Sequence, residues 1–113
     1  LTSFRGQGVW TDGNTYYYSY GSAQYVLNKS TSTWSAKTWN GLTNFYGINI
    51  WTDGDNVYHS GGSEQNVLNK VTSTWNTKVW TGITSSSYYG SNIWKDGNNI
   101  YFSRGQTEQF MLD

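Results

Sequence analysis

The side chains best suited to bind a ligand lie in short segments whose sequences differ between otherwise similar parts of the chain. They combine tyrosines, whose flat rings can stack on sugar rings, with arginines and glutamates, which make strong charge-assisted hydrogen bonds. A packing role for the tyrosines is the alternative. The candidate ligand-binding residues are Arg5, Tyr20, Tyr46, Glu64, Tyr88, Tyr89, Arg104 and Glu108.

Catalytic chemistry has weak support in the sequence. The one histidine, His59, lies within an apparent strand, and its counterparts elsewhere in the chain are Tyr18 and Phe102. A position that accepts any ring is expected to serve packing rather than act as a general base. Cysteine is absent, and no serine has the sequence context of an activated nucleophile. We therefore predict no catalytic residues and no enzymatic activity.

A calcium-loop pattern is only partly matched. Asp53, Asp55 and Glu64 occupy positions one, three and twelve of that template. Position five is Val57, however, and position six is Tyr58, where the calcium loop requires glycine. The intervening residues also resemble a strand. The sequence therefore predicts neither a metal site nor a cofactor.

The dominant feature of the sequence is an internal repeat. The segment Trp10-Thr11-Asp12-Gly13 returns at Trp51 and, with one change, at Trp94, so the spacing is 41 and then 43 residues. A period of this length indicates stacked supersecondary units that cannot bury their apolar faces alone. The units are residues 1–41, 42–82 and 83–113, and the last is shorter by about ten residues.

Composition limits the classes of protein and partner. The length of 113 residues suits one domain, and aromatic residues reach 19 %, so large rings must supply the core. The formal net charge is zero, which disfavours a nucleic-acid partner because no basic surface is available for phosphates. No apolar run approaches the length of a membrane helix, and no secretion leader is recognisable, so no membrane partner is expected.

Each unit is predicted to form one small antiparallel sheet. In the second unit, alternating apolar residues predict strands at residues 48–51, 56–60, 65–68 and 75–80. Asp53-Gly54 is a strong hairpin signal, and the expected turn has positive φ at both residues. In the third unit the third strand is expected at residues 109–112, with an unpaired outer edge. No segment has helical spacing, so the predicted fold class is all-β.

These residues resemble the kelch repeat. The resemblance rests on the pair Gly61-Gly62 after an aromatic strand, and on Leu27-Asn28 and Leu68-Asn69, each followed by a tryptophan seven residues after the leucine. Leucine replaces the family's tyrosine, and asparagine replaces its aspartate. The diglycine is complete only in the second unit. The resemblance implies a β-propeller with four-stranded blades, innermost strand first, and partner binding through one set of loops. A β-prism or another sheet array is the alternative architecture.

Fewer than three blades are encoded, whereas propellers close with roughly four to eight. The chain is therefore either a fragment of a longer propeller, natural or engineered, or a partial propeller completed by oligomerisation. We favour self-assembly, because closed symmetric association is the usual way to cover such faces. Two chains giving a six-bladed ring are the expected homo-oligomer.

Variation among the units favours one end of each sheet for recognition. The links at residues 4–8, 45–49 and 86–90 differ, as do the connections at 20–23, 61–64 and 104–108, while the opposite end is nearly constant. The predicted function is non-catalytic binding of a glycan or protein through these loops. The alternatives are a purely architectural or engineered repeat without a ligand and, less favoured, a propeller hydrolase or lyase.

Overall fold

A computed structural model describes residues 4–83, 88–104 and 108–112, apart from the side chains of Arg104 and Glu108. Within these ranges the protein is all-β, as predicted, with three antiparallel sheets and three short 3₁₀ turns. The first two sheets have five strands each and the third has three.

In the first sheet, four strands follow one another in spatial order, and a short strand from the next unit pairs with the second. The strands are β1 (Val9–Thr11), β2 (Tyr16–Gly21), β3 (Ala23–Asn28), β4 (Thr33–Ala36) and β5 (Phe45–Tyr46).

The second sheet repeats this arrangement, with its added strand drawn from the third unit. Its strands are β6 (Ile50–Thr52), β7 (Val57–Gly62), β8 (Glu64–Asn69), β9 (Thr74–Thr77) and β10 (Tyr88–Tyr89). The third sheet contains β11 (Ile93–Asp96), β12 (Asn99–Arg104) and β13 (Glu108–Met111).

Several strand limits differ from the sequence prediction. Ile48 and Asn49 belong to a 3₁₀ turn, Gly47–Asn49, so β6 begins two residues later than expected. Strand β7 continues through both Gly61 and Gly62 because β10 pairs with them. Strand β9 ends at Thr77 instead of reaching residue 80, and β13 begins at Glu108.

The Asp-Gly hairpin also differs from the expected turn. Positive φ occurs at Gly54 but not at Asp53, so the predicted turn type is wrong. Asp53 instead shapes a longer loop with its side chain: Oδ1 accepts hydrogen bonds from the N–H groups of Asp55 and Asn56 at 2.9 and 2.8 Å. Aspartate favours such local backbone bonds, which explains its repetition here.

The first-strand tryptophan makes the same two contacts within each unit. The first-strand indole stacks on the second-strand tyrosine with ring centroids 4.5 Å apart in all three units. The indole Nε1 also donates a hydrogen bond to a serine hydroxyl, because a tryptophan N–H usually needs an acceptor when it is buried. The indole–serine pairs are Trp10–Ser19 at 3.0 Å, Trp51–Ser60 at 2.9 Å and Trp94–Ser103 at 3.0 Å.

The largest apolar cluster lies between the first two sheets. The first sheet and the segment after it contribute Trp10, Tyr17 and Trp39, and the second unit contributes Phe45 and Trp75 among others. A second cluster joins the next pair of sheets. The units therefore bury their apolar faces against each other, as the repeat predicted.

Candidate functional site

In the first two units, the hairpins between the second and third strands are tight turns. Strand β2 runs to Gly21 and β3 begins at Ala23, so the expected loop is a tight turn in which Gly21 has a φ of 66°. Gly62 has the same role in the second unit, with a φ of 76°. Glycine adopts this left-handed conformation without a steric penalty. Tyr20 and Glu64 are thus held at strand ends rather than on long loops.

The links between units lie beside these hairpins. Tyr46 of β5 pairs with Tyr20, and Tyr89 of β10 pairs with Gly61. The second and third links are therefore paired with the tip of the preceding sheet. Among the described residues, β5 and β10 therefore lie beside the hairpin ends of β2 and β7; residues 86–87 and 105–107 of the variable segments lie outside the described part of the chain.

Three of the candidate residues form one cluster, Arg5, Tyr20 and Tyr46. The Arg5 guanidinium lies 4.8 Å from the Tyr20 ring centroid, a cation–π geometry. The Tyr46 ring meets Tyr20 edge-on, with centroids 4.9 Å apart, and remains 41 % exposed. Arg5 and Tyr46 are exposed to solvent, whereas Tyr20 is half-buried between them.

Glu64 and Tyr89 form a second, looser group. Both are exposed and both pair with Gly61, Glu64 from one side and Tyr89 from the other. Two strand spacings therefore separate their backbones, about 10 Å. Glu64 also borders a polar groove of about 430 Å³ that Asn44 and Thr77 help to line.

Tyr88 is placed differently from the other candidates. It is 5 % exposed, its ring packs edge-on against Phe102 at 4.8 Å, and burial raises the pKa of its phenol to about 12. Its ring packs between sheets and is not presented at the surface. Arg104 and Glu108 pair through their backbones, while their side chains lie outside the described residues.

His59 is enclosed by aromatic rings. It is 3 % exposed, and the rings of Phe45 and Trp75 meet it edge-on at 5.7 and 6.3 Å. Burial lowers the pKa of the imidazole to about 4, so it is neutral at physiological pH. Its Nδ1 has no hydrogen-bond partner among the described atoms. This environment favours packing over proton transfer.

Residues 4–83, 88–104 and 108–112 contain no group of three or more histidine and acidic side chains able to hold a metal ion. Over those ranges, no helix has the length and apolar character required to cross a bilayer.

Comparison with known proteins adds no relative. The chain matches no family model, no curated protein and no solved structure.

The outer faces of the array contain residues that sequence analysis did not select. Trp10 and Trp51 are 6 % and 8 % exposed, because the next sheet covers each, whereas Trp94 is 50 % exposed. At the other end, Phe4 and Tyr16 are exposed. We call the Trp94 side the rear face and the Phe4 side the front face.

Glycines at the start of each 3₁₀ turn show the same asymmetry. A β-carbon on Gly47 would overlap the Gly8 carbonyl oxygen, and one on Gly90 would overlap that of Asn49. A β-carbon on Gly6 would have nothing within 4 Å. The recurrence of glycine at the start of all three turns is the sequence signal that could have identified this contact.

Proposed function

We propose that the chain is a non-catalytic array of kelch-like propeller blades that assembles with copies of itself through its front and rear faces. The observation that carries this proposal is the exposure of Trp94, whose counterparts Trp10 and Trp51 are buried by a following sheet. An exposed apolar face whose counterparts in the other units are buried, such as the rear face with Trp94, favours association with another molecule.

The front face supports the same interpretation. Gly6 has open space where its counterparts Gly47 and Gly90 touch the preceding turn. The carbonyl of Asn92 is the counterpart of those of Gly8 and Asn49, so a second copy can present Asn92 to Gly6. Two copies joined in this way at both ends would bring six sheets into one ring, within the size range of propellers.

Solution mass tests the proposal. By light scattering at micromolar concentration we expect twice the chain mass of 12.9 kDa. Gly6→Ala should weaken association at least about tenfold, because the added methyl group would overlap the incoming turn. Val71→Ala is the matched control, since Val71 is 94 % exposed in the turn between β8 and β9. A folded monomer at these concentrations would overturn the proposal.

A second function, recognition of a glycan or protein surface, is favoured by the cluster of Arg5, Tyr20 and Tyr46. The exposed Tyr46 ring can stack on a sugar, and the guanidinium can donate to its hydroxyl groups. A glycan array should show binding that Tyr46→Ala weakens and Val71→Ala does not. Binding that survives Tyr46→Ala would place the ligand elsewhere, and a silent array would favour a purely architectural role for this end.

A further inference from the structure

The polar groove beside Glu64 lies between the second sheet and the segment that joins this sheet to the first unit. Strands β8 and β9 form one wall, and residues 41–44 form the other. Its volume of about 430 Å³ is within the usual range of small-molecule sites, roughly 300–1,000 Å³. The residues that carry the argument are Leu42, Asn44, Glu64, Asn66 and Thr77.

Three polar side chains face the groove from the second sheet. Glu64 and Asn66 are two residues apart in β8, so they point to the same side of the sheet, about 7 Å apart. Thr77 of β9 lies directly opposite Asn66 on the neighbouring strand. A carboxylate, an amide and a hydroxyl are therefore close enough together to contact one small molecule.

The first unit has two alanines and an aromatic residue at the same three places. Packing of this face against the preceding segment therefore does not require polar side chains. In the third unit, Phe110 occupies the position of Asn66. The counterparts of Glu64, Asn66 and Thr77 in the first unit are Ala23, Tyr25 and Ala36.

Asn66 is the deepest of the polar groups. It is 8 % exposed, and its side-chain amide makes no hydrogen bond to another described residue. A buried amide without a partner costs free energy, so such groups are nearly always satisfied in native proteins. Leu42, 7 % exposed, supplies an apolar part of the wall, while Asn44 and Glu64 are exposed at the mouth. The groove therefore presents an amide that requires a partner.

The groups that line the groove distinguish between ligand classes. Within the described part of the chain no lysine or arginine lines it, so an anion would meet no cation. Glu64 is the one carboxylate among the described lining residues, too few for a protein-held metal ion. Amides and hydroxyls both donate and accept hydrogen bonds, as sugar hydroxyls do, and a carboxylate can accept from two hydroxyls at once. This combination favours a neutral ligand with several hydroxyl groups.

We propose that the groove binds one neutral sugar unit. The Glu64 carboxylate accepts hydrogen bonds from two adjacent hydroxyls, the Asn66 amide bonds a third hydroxyl at depth, and Leu42 contacts the carbon face of the ring. This inference rests on the recognition function proposed above and deepens it, because the groove adjoins the aromatic cluster. Asn44 Oδ1 lies 3.5 Å from the β-carbon position of Gly21, the residue that follows Tyr20.

The methyl glycosides of glucose, mannose and galactose are the probes, titrated into the isotope-labelled whole protein and followed by NMR. We expect at least one of them to shift the side-chain NH₂ signals of Asn66 saturably. The dissociation constant should be about 1–10 mM, the affinity that a ligand of so few atoms reaches.

Two variants of the groove test the assigned contacts. Glu64→Gln should weaken binding about fivefold to tenfold through loss of a charge-assisted hydrogen bond. Because Glu64 is exposed, this variant is expected to fold even if Asn66→Ala does not. Asn66→Ala should weaken binding at least about tenfold, since a ligand hydroxyl loses its buried partner. Asp55→Asn is the matched control, because it removes an exposed carboxylate at the other end of β7.

Tyr46→Ala separates the groove from the aromatic cluster and should leave binding of the methyl glycosides unchanged. Absence of any shift up to about 100 mM, or binding that Glu64→Gln and Asn66→Ala leave intact, would overturn the groove assignment. If glycans on the array then still depend on Tyr46, the recognition function stands without the groove. Tighter binding of methylammonium chloride than of every glycoside would identify a site for cations and would likewise overturn the sugar assignment.

Discussion

A β-carbon placed on Gly90 would overlap the carbonyl oxygen of Asn49. Gly47 has the same relationship to Gly8 one unit earlier. The 3₁₀ turns that begin at these glycines therefore pack against each other without room for a side chain. This contact, rather than a need for unusual φ, explains why glycine recurs there.

The first prediction concerns that contact. Gly90→Ala should lower the free energy of unfolding by about 1–3 kcal/mol, because the methyl group forces neighbouring turns apart. Urea denaturation followed by tryptophan fluorescence measures the change. Gly6→Ala is the control and should be nearly neutral in the monomer, since its β-carbon position is open. Equal losses from the two variants would contradict the proposed packing.

The second prediction compares two tryptophans with the same local contacts. Trp51 and Trp94 each stack on a tyrosine and donate to a serine, but only Trp51 is covered by a following sheet. Trp51→Ala should cost about 3–5 kcal/mol of unfolding free energy, the usual range for a buried tryptophan. Trp94→Ala should cost much less in the monomer. Similar losses would show that the stack within each sheet, and not burial by the next sheet, supplies the stabilisation.

The sequence was sufficient to predict the all-β class and the strand order. Repetition of Trp10 at Trp51 and Trp94 marked the unit, and alternating residues between turn signals gave antiparallel strands. The 3₁₀ turn at Gly47–Asn49 was missed because three residues give no periodic signal. Extension of β7 through its two glycines was missed as well, since the pairing strand β10 lies in the next unit.

The candidate site was only partly predictable for a related reason. Adjacent residues in a strand point to opposite faces, so the position of β10 decides which of two tyrosines is buried. Tyr88 packs inward and Tyr89 faces solvent, and nothing local in Ser-Tyr-Tyr-Gly distinguishes them. The contact of Arg5 with Tyr20 likewise depends on the placement of the first link.

The third prediction concerns the hydrogen bond between Asp53 and Tyr58, whose Oδ2 and hydroxyl oxygen are 2.8 Å apart. Burial alone would raise the pKa of the Asp53 carboxyl, but hydrogen bonds from Asn56, Tyr58 and Asp55 outweigh it and hold the pKa below 3.8. The stabilisation is thus present above pH 3.8 and is lost as the pH falls through the lower folded-state pKa.

Asp53→Asn should therefore cost about 1 kcal/mol at pH 7, near the low end for a charged hydrogen bond because the loop is partly exposed. Tyr58→Phe tests the same bond from the other side, and a double-mutant cycle isolates the coupling. Additive losses in the cycle would show that the two side chains do not support each other.

The fourth prediction concerns the acid sensitivity of His59. Its folded-state pKa is about 4, below the ordinary 6.5, because burial disfavours the imidazolium. The neutral imidazole of His59 therefore contributes its full share of the free energy of unfolding above pH 6.5. That contribution declines as the pH falls from 6.5 towards 4. Each pH unit of difference between the two pKa values corresponds to about 1.4 kcal/mol, so the full loss approaches about 3 kcal/mol.

His59→Phe should remove this dependence, because Phe102 occupies the equivalent place in the third unit without a titrating group. Unfolding midpoints in urea at pH 7 and pH 4.5 should differ for the original protein and be closer together for the variant. Asp53→Asn serves as the control, since the carboxyl of Asp53 titrates below this window and its removal should leave the difference intact. If His59→Phe retains the full loss between pH 7 and 4.5, another group is responsible and the imidazole is accessible to water in its charged form.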